Sequence, residues 1–90
     1  MSQLHLDRQG ADAQVRVRFW AGARAAAGVE ETSVPPGSLA EVLDAVAARF
    51  PDLAPLLPLC SLLVDGRRLS SEASLGPDAL VEVLPPFAGG

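Results

Sequence analysis

The last six residues, Pro85-Pro86-Phe87-Ala88-Gly89-Gly90, put a free carboxylate behind two residues that carry no side chain. Nothing projects from either Cα, so the terminal acyl carbon is unhindered and the segment can thread a channel too narrow for any side chain. An α-carboxyl with a reference pKa of about 3.5 is ionised at neutral pH. It is nucleophilic toward an α-phosphate, yet a poor acyl electrophile until something activates it. The Gly90 carboxylate is therefore the candidate functional group, and acyl activation followed by transfer is the chemistry it could support. Pro85 and Pro86 fix φ and bias Leu84 and Pro85 toward extended backbone, which holds the segment off the domain in polyproline-like form. Six residues held this way reach about 20 Å.

The rest of the chain offers little chemistry of its own. No nucleophile, base and orienting group recur together, and neither a phosphate loop nor a glycine-rich nucleotide fingerprint is present. The chain is not expected to be an enzyme in its own right, with no cofactor bound and no catalytic residue. Cys60 is the sole cysteine, which excludes an intrachain disulfide and fits a reducing compartment. It has two readings, a persulfide or thioester site and a core thiol at a strand start. No histidine accompanies it, which favours the core. His5 has no second ligand near it in sequence, so no metal is expected. Glu30 and Glu31 read as an exposed, solvated pair on a strand edge. All seven basic residues are arginines. The sequence thus holds no side-chain amine for isopeptide linkage to itself.

Ninety residues suffice for one domain with one core. An apolar fraction of 49% and a mean hydropathy of +0.27 argue for a folded globule. No apolar run is long enough to span a membrane, and Ser2 to Gln14 lacks the pattern of a secretory signal, so a cytoplasmic location is expected. A net charge of -4 and a pI near 4.7 oppose nucleic-acid binding, which needs clustered Lys and Arg.

Three segments are expected: an extension over residues 1–14, a domain over 15–84 and a tail over 85–90. Val15 to Trp20 alternates strictly, which predicts a strand with Val15, Val17 and Phe19 inward and Arg16, Arg18 and Trp20 outward. Trp20 could cover a core edge or meet a partner. Ala21 to Gly28 suits a helical turn closing on Gly28, and Val29 to Val34 a second strand. Ser38-Leu39-Ala40-Glu41 is a capping box. Leu39, Val42, Leu43, Val46, Ala47 and Phe50 continue it as one apolar helical face, and Pro51 ends the run. A Leu-Pro-rich connection leads to Ser61–Val64, an Asp65-Gly66 turn and a short return strand over Arg67–Leu69. Gly76-Pro77-Asp78 is a turn signal, and Leu80 to Leu84 alternates again as the last strand. One amphipathic helix cannot hide its stripe alone. The order β-β-α-β-β-β therefore predicts an α+β fold of the β-grasp type, a mixed sheet packed on that helix, with the last strand delivering the tail.

These residues resemble the MoaD and ThiS type of ubiquitin-like sulfur carrier, in particular the MoaD-like small subunit of molybdopterin synthase. The resemblance covers Val15 to Gly90. It rests on Val17-Arg18-Phe19-Trp20-Ala21, Arg24, Gly28, the Asp65-Gly66 hairpin and the block from Leu75-Gly76-Pro77-Asp78 to Leu84-Pro85-Pro86-Phe87-Ala88-Gly89-Gly90. It departs at Pro77, which is interposed in the turn before the last strand. The resemblance implies that Gly90 is adenylated by a ubiquitin-activating-type adenylyltransferase using ATP. It implies conversion to a thiocarboxylate, with sulfur from a sulfurtransferase or cysteine desulfurase, and donation of that sulfur, which makes the chain a protein co-substrate. In the MoaD branch, favoured by Pro85-Pro86, two large molybdopterin synthase subunits would each take a tail, in a heterotetramer. Pro85, Pro86, Phe87, Ala88 and Gly89 would occupy the partner channel, with Phe87 anchored near its mouth. Arg16, Arg18, Trp20, Glu82 and Leu84 form the expected partner surface. The same tail also suits a carrier for thiamin thiazole, cysteine or a specialised metabolite, a ubiquitin-like modifier, or an interaction module with a docking peptide.

Overall fold

The computed structural model describes residues 14–86. Phe87, Ala88, Gly89 and Gly90, and the expected extension apart from Gln14, lie outside the described residues. The elements run β1 (Val15–Phe19), α1 (Ala21–Ala27), β2 (Glu31–Val34), β3 (Gly37–Ser38), α2 (Leu39–Arg49), a 3₁₀ turn (Leu57–Leu59), β4 (Ser61–Val64), β5 (Ser74–Leu75) and β6 (Leu80–Leu84). Four strands form a mixed sheet in the order β2-β1-β6-β4, while β3 and β5 pair separately. β1 and β6 are parallel, and β2 and β4 flank them antiparallel. This is the expected β-grasp architecture, with the first and last strands at the centre of the sheet.

The alternation of β1 and β6 explains why they occupy that centre. Val15, Val17 and Phe19 alternate into the core from β1, and Val81 and Val83 do so from β6, all with 1% exposure or less. Each such burial contributes roughly 1.5–3 kcal/mol. Opposite them lies α2, whose Leu39, Val42 and Val46 are buried and whose Leu43 and Ala47 pack against the same cluster. Phe50, at the helix C-cap, meets Phe19 edge to face with ring centroids 5.4 Å apart. The capping box forms as expected. Ser38 Oγ accepts from the Glu41 amide at 3.1 Å, and Glu41 Oε1 accepts from the Ser38 amide at 2.9 Å.

Local structure departs from the sequence expectation at four places. The helical turn after β1 is a seven-residue helix closed by Gly28 at φ 81, and Trp20 stands as its N-cap instead of ending the strand. The second strand begins at Glu31, not Val29. No return strand forms over Arg67–Leu69. Val64 and Arg67 make one bridge around a two-residue turn whose Asp65 (φ 50) and Gly66 (φ 83) both take positive φ, after which the chain turns away. The segment it reaches, β5, pairs with β3 next to the α2 N-terminus, a contact that no local period announces.

Two turns fix the entry to β6. Asp65 donates its amide to the Leu80 carbonyl at 2.9 Å and accepts the Leu80 amide on Oδ1 at 3.1 Å. In Gly76-Pro77-Asp78-Ala79 the Ala79 amide donates to the Gly76 carbonyl at 3.2 Å, and Asp78 sits at φ 73. Proline second and positive φ third is the type II pattern. The interposed Pro77 is thereby accommodated. The amide of Asp78 also donates to the Gln14 carbonyl at 3.2 Å, which ties the start of the described chain to this turn.

Candidate functional site: the outward sheet face and the tail exit

Register sets the site. β6 pairs in parallel with β1, placing Arg16 beside Leu80, Arg18 beside Glu82 and Phe19 beside Val83. The Trp20 amide donates to the Val83 carbonyl at 3.2 Å, so Trp20 continues the ladder beside the last residue of β6. Across β6, Leu63 pairs with Glu82 and Ser61 with Leu84. Since Val17, Phe19, Val81 and Val83 point into the core, Arg16, Arg18, Trp20, Glu82 and Leu84 lie on the other side of the sheet, away from α2. All five expected surface residues thus share one face.

The pairing adds members that sequence reading did not assign. Leu80 and Leu63, both half-buried, lie on this face by register. Leu63 sits in the apolar run Leu62-Leu63-Val64, which hides its alternation, and Leu80 opens a strand whose phase alone could have placed it outward. Glu31 also joins them. Its carboxylate accepts from Arg18 Nη2 at 3.2 Å and lies 3.8 Å from Arg16 Nη1. The expectation that Glu30 and Glu31 are both simply solvated is corrected for Glu31. Arg18 and Glu31 are Cα partners across β1 and β2, and no property of the Glu-Glu pair reveals that. Glu30 remains exposed, 3.8 Å from Arg24.

Electrostatically the face is balanced, with Arg16 and Arg18 against Glu31 and Glu82. Its apolar part is Leu63, Leu80, Leu84 and Trp20, the last 41% exposed. The Arg18 guanidinium lies 6.0 Å from the centroid of the Trp20 ring, within cation–π range. The apolar residues of β4 and β6 thus lie beside the Arg16 and Arg18 ion pairs to Glu31, which makes the face mixed in character. The far edge is closed differently: Arg49 reaches from α2 to donate to Thr32 Oγ1 at 2.7 Å and to the Ser33 carbonyl at 3.0 Å, occupying acceptors on β2.

The tail leaves this face directly. β6 ends at Leu84 between Trp20 and Ser61, Pro85 is half-buried and Pro86 exposed. Cys60 is adjacent to that exit in sequence, but its surroundings are those of a core thiol. Its Sγ donates to the Leu56 carbonyl at 3.3 Å, and burial pushes the thiol above its ordinary pKa. Raised pKa means less thiolate, the opposite of what a persulfide or thioester site needs. Among the described residues no three His, Cys, Asp or Glu side chains gather into a metal-binding group, and no helix is long and apolar enough to cross a membrane.

A central parallel strand pair with one helix across the sheet defines a ubiquitin-like β-grasp protein. The chain belongs to the ThiS family, whose profile matches residues 17–90 and so runs through the Gly-Gly end. This is a family of small ubiquitin-like sulfur carriers. Among curated protein sequences none matches significantly. Among solved structures, a candidate molybdopterin converting factor subunit 1 from Pyrococcus furiosus is 24% identical with a TM-score of 0.75, over 82% of this chain and 98% of that one. Small archaeal modifier protein 1 from Methanosarcina acetivorans is 23% identical with a TM-score of 0.78, over 87% and 97%. A chain in the complex of subunits 1 and 2 of the molybdopterin-converting factor from Helicobacter pylori is 22% identical with a TM-score of 0.65, over 86% and 99%. At these identities the likeness is one of fold.

Proposed function

We propose that the Gly90 carboxylate is the working group of this protein, adenylated by a ubiquitin-activating-type enzyme and converted to a thiocarboxylate that donates sulfur in molybdopterin biosynthesis. The observation that supports the reading is the point at which the chain leaves the sheet. Pro85 follows directly on the central strand β6, whose last residue Leu84 lies beside Trp20, and the family match runs on to Gly90. In adenylation the carboxylate oxygen attacks the α-phosphorus of ATP and expels pyrophosphate, which turns that oxygen into part of a good leaving group, AMP. The partner's persulfide then attacks the acyl carbon, AMP departs with the bonding electrons, and a thiol cleaves the resulting acyl disulfide, becoming a disulfide with the partner's sulfur and releasing the thiocarboxylate. The chain supplies an unhindered acyl group and a rigid platform for recognition. The partner supplies ATP, positioning and charge stabilisation.

Docking is assigned to the face of Arg16, Arg18, Trp20, Glu82 and Leu84, extended by Leu63 and Leu80. Pro85, Pro86, Phe87, Ala88 and Gly89 occupy the partner's channel. The receiver is a molybdopterin synthase large subunit, two of which would accept two copies of this chain. The sulfur comes from a sulfurtransferase or cysteine desulfurase. The reading is tested by intact-mass spectrometry after incubation with ATP, an activating enzyme and a sulfur source, beside a chain lacking Gly90. Exchange of one oxygen for sulfur, absent in the truncation, is the expected result. No exchange, with a control carrier thiolated in the same mixture, overturns it. Higher-mass protein conjugates instead would mark a modifier.

A further inference from the structure

We infer that the folded chain offers its own activated terminus no side-chain acceptor, so that, the N-terminal α-amine apart, an acyl group activated at Gly90 passes only to another molecule or to water. The inference rests on the carrier reading, since it concerns an activated Gly90. Its grounds are a census of nucleophiles.

All seven basic residues are arginines. A lysine amine with a reference pKa of about 10.4 is about 0.4% unprotonated at pH 8, whereas a guanidinium stays protonated. At four positions the fold uses the guanidinium: Arg16 and Arg18 on Glu31, Arg24 beside Glu30, and Arg49 on Thr32 and Ser33. Arg67 and Arg68 differ. Both are exposed on the hairpin beyond β4, and among the described residues neither has a side-chain hydrogen bond or ion pair. A lysine would serve the fold equally well there, but it would place an amine on the surface.

The remaining strong nucleophile is Cys60, and the fold restrains it. Its thiol is half-buried and donates to the Leu56 carbonyl, and burial disfavours the thiolate. Serine and threonine hydroxyls need a base, and the sole histidine, His5, lies outside the described residues. Self-acylation would require an amine or thiolate to attack the Gly90 acyl carbon, forming a C–N or C–S bond, expelling the leaving group with its electron pair and releasing any amine proton to solvent. The folded side chains supply neither attacking group. Activated copies therefore do not consume one another through their side chains, and transfer to a protein amine ends at one copy instead of growing into a side-chain-linked chain.

The test uses the full chain prepared as a Gly90 thioester, so that no activating enzyme is involved, held at pH 8 with a small glycine ester as an acylation control. The parent should give hydrolysis, control amide and, at most, linkage through the N-terminal α-amine. Arg67→Lys and Arg68→Lys should give dimers cross-linked at the new lysine, at least about tenfold above any side-chain-linked dimer of the parent, because only they present a side-chain amine. Thioester exchange onto Cys60 should appear in denaturant and be absent from the folded chain. Side-chain-linked parent dimers at the variants' level, lysine variants that form none while the glycine ester is acylated, or equal Cys60 exchange folded and unfolded would each overturn the inference. None of these results bears on the oxygen-to-sulfur exchange that tests the carrier reading itself.

Discussion

Gly37 immediately precedes the capping box of α2, and a methyl group placed there would sit 2.6 Å from Glu41 Oε1, the atom that accepts the Ser38 amide. Gly37→Ala must therefore displace the Glu41 carboxylate. The lost hydrogen bond costs about 1 kcal/mol. Gly37 lies outside the left-handed region, so alanine also removes unfolded-state freedom and stabilises by about 0.4–1 kcal/mol. In the parent the two effects nearly cancel. In a Glu41→Ala background, itself destabilised by about 1 kcal/mol through loss of the box and of a first-turn acid, the clash is gone and only the entropic gain remains. The cycle of four proteins should thus show a coupling of about 1 kcal/mol, with Gly37→Ala changing from neutral to stabilising. Urea midpoints measure this directly, and 1 kcal/mol corresponds to about 4–8 °C in Tm for a domain of this size. Additivity within about 0.3 kcal/mol would refute the claim that the two residues share one site.

Three further outcomes are expected. Asp78→Val places a β-branched residue at φ 73 in the turn that leads into β6 and should lower stability by about 1–2 kcal/mol in chemical denaturation, while Asp78→Asn should be tolerated. Alkylation of Cys60 in the folded protein should show a pH midpoint above that of a free cysteine thiol, falling in denaturant. Burial keeps the folded thiol protonated to higher pH, so folding stability declines as pH rises past the unfolded thiol's pKa, and Cys60→Ala should remove that slope. Leu84→Asp, on the outward face, should weaken docking to a molybdopterin synthase large subunit by about tenfold or more, with circular dichroism and solubility unchanged. Loss of the fold instead would place Leu84 in the core.

Much of the scaffold can be read locally because its signals are local. The alternation of Val15 to Phe19 and of Leu80 to Leu84, and the Ser38–Glu41 box ahead of an apolar helical stripe, each encode their element within a few residues. The outward position of Arg16, Arg18, Trp20, Glu82 and Leu84 follows from the same alternation. What escapes a sequence reading depends on register or on distant pairing. Glu31 meets Arg18 only because β1 and β2 align in one phase, and β5 exists only because Gly37-Ser38 is there to pair with it. Arg67–Leu69 has the composition of a return strand, but the sheet offers it no neighbour after one bridge. Trp20 reads as strand because its phase is right, yet the chain leaves the strand geometry at Ala21, where φ is 46.

The parallel pairing of β1 with β6 has a mechanical consequence. Its two strands point the same way, so tension that draws the tail outward along β6 loads that ladder, and the antiparallel ladder to β4, in shear. The inter-strand bonds then resist together and are not opened one at a time from an end. A pull on the chain beyond Leu84 therefore meets both ladders at once.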